Sequence, residues 1–515
     1  MSVLNRREFL KASAALMAGA TFGGASALLS QSNLQNIGKP NILIFVFDAM
    51  SARHLSLYGY ERETTPNLKK FAERAFVYHN HYSGGNFTTT GTASMLTGLN
   101  PWTHRALNYR GMVDRQLTGR NLFQLMGKEY TRLAFTQNLW ADILLSQFES
   151  DIDIHLPCDS YSHFIHSYIQ PDDLPSDRRM AYYVFQDFAN LRVDDPRAFP
   201  GSLLIASGDL VRALGPNRKH ISTEYPRGLP TNYDYAYENA TVLDGIDKLI
   251  KNSLAESEPY LAYFHLWSPH EPYNARKDFT GIFMEDLPLP AKPRHPFSGG
   301  NHPEKALREY RREYDELIAD LDAEFGRFLL DLEQSRVLQN SYVIVTSDHG
   351  EMFERGEVGH ATALMYAPVT HIPLLIAAPG QVSRSDFHSV TSNVDLLPTI
   401  LEIAGKEIPE WIEGSILPGF GGNEDSARSI FPMMGKDNAA FQPIRHATFA
   451  LIKGEYELLY YTGYPGHDDQ FELYHLEQDP QELQNLFSKD ITTASSMKEE
   501  LLEAIDTANR NFQLR

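Results

Sequence analysis

Asp348 and His349 close the stretch Tyr342-Val-Ile-Val-Thr-Ser-Asp-His-Gly-Glu351, and Asp48 directly follows Asn41-Ile-Leu-Ile-Phe-Val-Phe47. Each apolar run, rich in β-branched residues, reads as a buried strand that stops abruptly at its acid. Carboxylate oxygens and an imidazole nitrogen are ligands for a divalent cation. A third segment, Gly85-Asn-Phe-Thr-Thr-Thr-Gly-Thr-Ala-Ser-Met-Leu-Thr-Gly98, crowds hydroxyls ahead of an apolar patch. That pattern predicts a helix N-terminus with capping candidates. Amides at such an end attract anions. A threonine beside a cation there has the means to attack a phosphate or sulfate ester. Taken singly, Asp48 and Asp348 read as turn formers after strands, and Thr88, Thr89, Thr90 and Thr92 as helix caps. Their conjunction with His349 points to one metal site.

For these groups to meet, both strands must lie in one sheet and present their carboxyl ends at a common edge. The alternation of strands and helices from Pro40 onward predicts an α/β doubly wound, mostly parallel sheet. Further strands are expected at 260–264, ending at His265, and at 374–378. Helices are expected at 234–252 and 303–334. In the second, Leu317, Leu321, Phe325, Phe328 and Leu332 form one apolar stripe. The Pro/Gly-rich stretch 288–302 reads as loop. Residues 39–425 form the expected α/β domain, with an Asp-, Tyr-, Pro- and His-rich insertion at 156–233. Strands at 447–452, 456–461 and 471–476 and a helix at 496–508 predict a small antiparallel α+β subdomain over 430–515.

The composition, 42% hydrophobic and 22% charged, is that of a globular protein. With 46 Lys and Arg against 66 Asp and Glu the net charge is −20. A general basic field for nucleic acid or an anionic membrane is missing, so an anionic substrate must be drawn by local charge. The single Cys158 excludes an internal disulfide and a thiolate zinc cluster. At the start, Asn5-Arg-Arg-Glu-Phe-Leu-Lys11 precedes an Ala/Gly/Leu-rich run ending at Leu29. This predicts a twin-arginine (Tat) export signal over 1–29, with Ala25-Ser-Ala27 as cleavage site and a linker at 30–38. The competing reading is a frayed helix with two chance arginines. The expected location is periplasmic or otherwise extracytoplasmic, with a tether through 12–29 if the signal stays uncleaved. No later segment is apolar enough to span a membrane.

The motifs taken together resemble the sulfatase-like branch of the alkaline phosphatase superfamily. The likeness rests on Asp48, Leu57-Tyr-Gly-Tyr-Glu-Arg-Glu-Thr-Thr-Pro66, Met95-Leu-Thr-Gly98, Ser268-Pro-His-Glu-Pro272, Ser347-Asp-His-Gly350, Asn393-Val-Asp-Leu-Leu-Pro-Thr399 and Phe471-Glu-Leu-Tyr-His-Leu-Glu-Gln-Asp-Pro480 with Asn485-Leu486. It implies an alkaline-phosphatase-like fold. It also implies one divalent ion (Mn, Zn, Mg or Ca) held by Asp48, Asp348, His349 and the Thr88 hydroxyl. His270 and His360 are then expected to bind ester oxygens or assist the leaving group. His265, His104 and Arg53 stay open between function and structure, and Trp140 and Trp267 between pocket lining and packing.

Two departures bear on the chemistry. Sulfatases carry two adjacent acids after the first strand, where here Asp48 is followed by Ala49. They also carry a Cys or Ser, oxidised to formylglycine, at the position that Thr88 occupies. An unmodified Thr looks instead like the lipoteichoic acid synthases and phosphoethanolamine transferases, which form a phospho-enzyme. The resemblance therefore implies cleavage or transfer of a phosphate ester through a covalent Thr88 intermediate. The alternatives are a sulfuric ester hydrolase using unmodified Thr, and a non-catalytic binding protein on this fold. The expected partner is a small-molecule, glycan or lipid-headgroup ester, not nucleic acid.

Overall fold

A computed structural model of the chain describes residues 39–109, 111–162, 223–229, 237–254, 259–285, 287, 289–438 and 442–513. The stretch read as an export signal over 1–29, the expected linker at 30–38 and most of the expected insertion at 156–233 lie outside the described residues.

The α/β domain contains, in chain order, β1 (Asn41–Phe47), β2 (Phe76–Tyr78), α1 (Thr88–Thr97), β3 (Thr131–Thr136), α2 (Leu139–Gln147), β4 (Ile154–Leu156), β5 (Tyr260–Leu266), α3 (Glu304–Gln334), β6 (Ser341–Thr346), β7 (Leu374–Ala377) and β8 (Ser385–Phe387). The strands form one 8-stranded sheet in the order β8-β2-β7-β6-β1-β5-β3-β4. Only β7 runs antiparallel to its neighbours. β1 is buried along its whole length because both faces of the sheet are covered. Its alternate residues enter different cores: Leu43, Phe45 and Phe47 on one side, Ile42, Ile44 and Val46 on the other.

α3 covers the first of these faces. Leu317, Leu321, Phe325, Phe328 and Leu332 are all buried, as the stripe predicts. The Phe325 ring lies 5.3 Å from Phe45 and 5.0 Å from Phe47. Burial of each such side chain contributes about 1.5–3 kcal/mol. The same helix steadies the loop after β1, since the Tyr314 hydroxyl donates to the Ala49 carbonyl at 2.6 Å.

Register fixes what this frame is for. Val46 on β1 stands opposite His265 on β5 and Thr346 on β6, and Thr136 on β3 stands opposite the same His265. Neighbouring strands therefore stop at one level. The residues that follow them, Asp48, Ser347-Asp348 and Gln137-Asn138, share one edge.

The helix expected at 234–252 is observed from Asn239 to Leu249 and continues as a π turn, Ile250–Leu254. The C-terminal subdomain is an antiparallel meander of β9 (Ala447–Lys453), β10 (Tyr456–Thr462) and β11 (Gln470–His475). The short strands Ser429–Ile430 and Met433–Met434 pair with β9. The final helix, α4 (Ile491–Gln513), is longer than the 496–508 expected from its apolar period. Its start is set by Asp490, whose carboxylate accepts from the Thr493 amide at 3.2 Å. This is a polar signal outside the apolar pattern.

Backbone and side-chain contacts join the subdomain to the α/β domain. Met433 N donates to the Gly84 carbonyl at 2.9 Å, just ahead of α1. Elsewhere Glu457 of β10 and Glu482 are buried together, and the Glu482 carboxylate accepts from Ala367 N at 3.1 Å. Burial, then the neighbouring Glu482 and Glu472, push the Glu457 carboxyl well above the usual range, so it keeps its proton. No helix among the described residues is long and apolar enough to cross a membrane.

Candidate active site

Asp48, Asp348 and His349 converge at the sheet edge, each with no exposed surface, and one ligand atom from each lies within 4.8 Å of the others. Each acid has one oxygen held and one bare. Asp48 Oδ2 accepts from Asn138 Nδ2 at 2.5 Å. Asp348 Oδ1 accepts from the amides of Ala49 at 3.2 Å and His349 at 3.0 Å. Asp48 Oδ1 and Asp348 Oδ2 have no hydrogen-bond partner although both are buried. Bare buried oxygens of this kind are costly unless a cation or proton meets them.

The spacing and donor set fit a divalent ion. His349 Nε2 stands 3.5 Å from Asp48 Oδ1 and 3.5 Å from Asp348 Oδ2. That is too long for a good hydrogen bond. It suits atoms that share one ion at about 2.1 Å, whose mutual separations are roughly 3–3.5 Å. The ring is already oriented, because His349 Nδ1–H donates to the Gly350 carbonyl at 2.9 Å and leaves the Nε2 lone pair pointing inward.

Thr88 opens α1 on the same floor. Its Oγ1 lies 3.4 Å from His349 Nε2 and accepts from Asn138 Nδ2 at 3.2 Å. The expectation that threonine hydroxyls cap this helix is corrected here. Phe87 occupies the N-cap position without a side-chain hydrogen bond, while Thr90 Oγ1 donates to the Ala106 carbonyl at 3.0 Å. A helix that opens without a side-chain acceptor presents its amides to an anion at that end.

The placing of α1 is enforced by Gly91. A Cβ there would stand 2.0 Å from the Asp348 carbonyl oxygen, so helix and strand end meet backbone to backbone. Ser83 Oγ donates to the same Asp348 carbonyl, and Asn393 Nδ2 donates to the Gly91 carbonyl at 2.9 Å.

A row of imidazoles leads outward. The His349 and His360 rings are 4.2 Å apart, those of His360 and His270 4.9 Å, and Trp267 lies 4.3 Å beyond His270. His360 Nδ1–H donates to Glu351 Oε1 at 2.9 Å, and His270 Nδ1–H to the Glu271 carbonyl at 2.9 Å. Each Nε2 is thereby left for a ligand. Burial, helped by His270, lowers His360 to about 4. For His270, burial opposes the charge, but the Asp48, Glu351 and Glu271 carboxylates outweigh it and raise the pKa.

His265, left open by sequence, sits under the cluster. Its Nε2 is 3.5 Å from Asp48 Oδ2 and 3.5 Å from Asp348 Oδ2. Burial works against its charge, yet Asp348 and then Asp48 raise it to about 9, making it the counter-charge of two acids. His104 and Arg53 lie elsewhere, whereas Trp140 packs beside the head of α1. His104 accepts from Ala106 N at 3.0 Å and pairs with Ser94 Oγ at 3.0 Å inside the core. Arg53 donates to the Pro480 carbonyl and lines a separate cavity of about 250 Å³. Trp140 packs 4.7 Å from Tyr109, whose ring is 5.4 Å from Phe87.

Asn138 and Glu351 were not singled out in the sequence. Asn138 is the N-cap of α2, its Oδ1 accepting from Trp140 N at 2.8 Å, and that bond turns its Nδ2 toward Asp48 and Thr88. The usable signal was its place just after a third strand of the same sheet. The arrangement can hold a cation, set a hydroxyl against an electrophilic centre and offer imidazoles to a departing oxygen.

Comparison with known proteins gives a family model described as Sulfatase over residues 40–406. A second, described as N-sulphoglucosamine sulphohydrolase, C-terminal, matches residues 356–509. Arylsulfatase K of Bos taurus is 31% identical over 211 residues, which spans 40% of this chain and only 38% of that protein. Choline-sulfatase of Rhizobium meliloti (strain 1021) is 24% identical over 517 residues, 93% of this chain and 90% of the relative. Among solved structures, a protein in complex with its substrate D-glucosamine-2-N,6-O-disulfate superposes with a TM-score of 0.65 at 17% identity, covering 92% of this chain and 98% of its own. Phosphonate monoester hydrolase of Agrobacterium radiobacter gives 0.61 at 18%, covering 91% and 96%.

Proposed function

The chain belongs to the sulfatase family, and from that premise we propose that it cleaves or transfers a phosphate-type ester group through a covalent bond to Thr88. The observation that carries this is the Thr88 hydroxyl itself. It is an unmodified alcohol on the site floor, bonded to Asn138 and 3.4 Å from His349. A sulfated threonine lacks the second hydroxyl through which formylglycine expels sulfate, whereas a phosphothreonine is open to attack by water.

Asp48, Asp348, His349 and the Thr88 hydroxyl would hold one divalent ion. Bound there, it would stabilise charge on the transferred group and favour the ionised Thr88 hydroxyl. Mixed oxygen and imidazole ligation suits Zn²⁺, Mn²⁺ or Mg²⁺. The chain's own residues supply the rest. With its proton released to solvent, Thr88 Oγ1 attacks phosphorus while Asn138 Nδ2 donates to it and steadies its charge. The bond to the leaving oxygen breaks, and His270 protonates that oxygen from Nε2, being the imidazole whose pKa the nearby carboxylates raise. His360, neutral and fixed by Glu351, accepts a proton from the water or alcohol that then attacks the phosphothreonine, and the phosphorus–Oγ1 bond breaks to return Thr88.

The competing reading is hydrolysis of a sulfate ester by the same threonine, favoured by relatives that are arylsulfatases and a choline-sulfatase. Incubation with an aryl phosphate diester followed by intact-protein mass measurement separates them. We expect one adduct on Thr88, the phosphoryl group with its remaining ester substituent, that is absent from Thr88→Ala, and slower turnover of 4-nitrophenyl sulfate than of the phosphate analogues. Faster sulfate turnover would reverse the ranking. Full activity in Thr88→Ala would move the nucleophile to Thr89, Thr90 or a water.

A further inference from the structure

The reacting groups lie at the bottom of the site, but a cation stands at its mouth. Lys436 follows the short strand Met433–Met434 of the C-terminal subdomain. Its Nζ donates to the Ala361 carbonyl at 2.7 Å and to the Tyr109 hydroxyl at 3.1 Å, and lies 5.3 Å from the Tyr109 ring centroid. Ala361 directly follows His360. Tyr109 packs against Phe87, the residue before Thr88, and against Trp140. One ammonium thus spans both walls of the cleft.

Its backbone is anchored. Asn108 Nδ2 donates to the carbonyls of Lys436 and Asn438, and Asn438 Nδ2 donates to the Gly435 carbonyl at 2.9 Å. Among the described residues the polar partners of Nζ are a carbonyl and a phenol, with no carboxylate to neutralise it. This is notable in a chain with 66 acids and 46 bases. An ammonium has three donors, so one remains after these two bonds. Depth decides what that donor meets. Asp48, Thr88, Asp348 and His349 have no exposed surface, while Lys436 is partly exposed. A substrate whose reacting group sits on the floor brings its leaving group, not its phosphorus, to Lys436.

We infer that Lys436 is a specificity residue that selects esters whose leaving group carries a second oxyanion, a carboxylate, sulfate or phosphate. The inference rests on reading the site as that of an ester-cleaving enzyme. A neutral donor would suffice to tie Ala361 to Tyr109. The uncompensated charge is what an anionic substituent would recognise, through a charge-assisted hydrogen bond.

The test compares a phenyl phosphate ester bearing a meta-carboxylate with its meta-carboxamide counterpart, using the full chain loaded with its divalent ion. The readout is the ratio of their kcat/KM values. We expect about a 10- to 100-fold preference for the carboxylate, the range of a hydrogen bond to a charged group. The ratio should fall to about 1 in Lys436→Met and in Lys436→Gln, which keeps a donor for the Ala361 carbonyl, and return in Lys436→Arg. A ratio near 1 in the native protein, or one unchanged in the Gln variant, overturns the inference and leaves Lys436 a structural tie. Should neither ester be turned over, the catalytic reading fails, and the inference is then read from binding of 3-hydroxybenzoate against 3-hydroxybenzamide. Tighter benzoate binding that Lys436→Gln abolishes upholds it. Equal binding overturns it.

Discussion

Two pairs of buried carboxylates face the same problem in this molecule and meet it differently. Asp48 and Asp348 each have one oxygen engaged by N–H donors and one left bare toward His349, with charged His265 bridging them from below. Among the described residues, no such imidazole lies between Glu457 and Glu482. Their mutual repulsion is relieved because Glu457 keeps a proton. Burial alone therefore does not make an ion site. What separates the two is whether neighbouring groups bring lone pairs and compensating N–H donors to a common point.

The largest effect that bears on this contrast is loss of the ion. Asp348→Asn should lower turnover by about 10³-fold or more, as removal of a central catalytic group does. It should also abolish stabilisation by added divalent metal, which at a thousandfold excess over Kd amounts to about 4 kcal/mol. Glu457→Gln should leave metal-dependent melting as it is. If calorimetry finds the ion lost with Glu457 instead, the contrast collapses.

A smaller effect sharpens the first region. Asn138→Ala removes the donor shared by Asp48 and Thr88 and should reduce kcat by about 10²-fold, with metal retained. A fall in metal affinity that accounts for all of the lost activity would show that Asn138 only supports Asp48.

The smallest effect belongs to the second region and is read as a slope. The folded chain holds a proton on Glu457 that the unfolded chain releases near 4.5. This stabilisation is complete below that pH and is lost as pH rises toward the raised folded value, by about 1.4 kcal/mol per unit. Denaturant midpoints followed between about pH 5 and 8 should decline more steeply for the native chain than for Glu457→Gln. Parallel curves would mean that Glu457 titrates normally.

The sequence made the frame legible because strands buried on both faces leave continuous apolar runs. The acids at their ends then stand out, as with Asp48 and Asp348. The stripe on α3 was equally plain, since Leu317 through Leu332 obey the helical period. Side chains that act through the neighbour they face left weaker marks. Asn138 reads as an ordinary helix cap, and only the register of β3 beside β5 shows that its amide turns toward Thr88. His265 lies inside its strand, where an imidazole is usually core. Lys436 comes from a separate subdomain, and nothing local announces that the chain returns to the cleft. The threonines at the head of α1 misled in the opposite way, offering caps that the helix does not use.

Gly91 bears on how a lineage built on this frame can change its trade. With no room for even one methyl between α1 and the Asp348 carbonyl, helix and strand are joined like parts of a casting, and the position at the head of the helix is held still. The hydroxyl at that position meets Asn138 and His349, groups of the site itself. A single codon change there can exchange one reactive group for another on a helix backbone that Gly91 holds against the strand end. Distinct chemistries can then arise without rebuilding the protein, and position 91, silent in the reaction itself, has no room for any side chain.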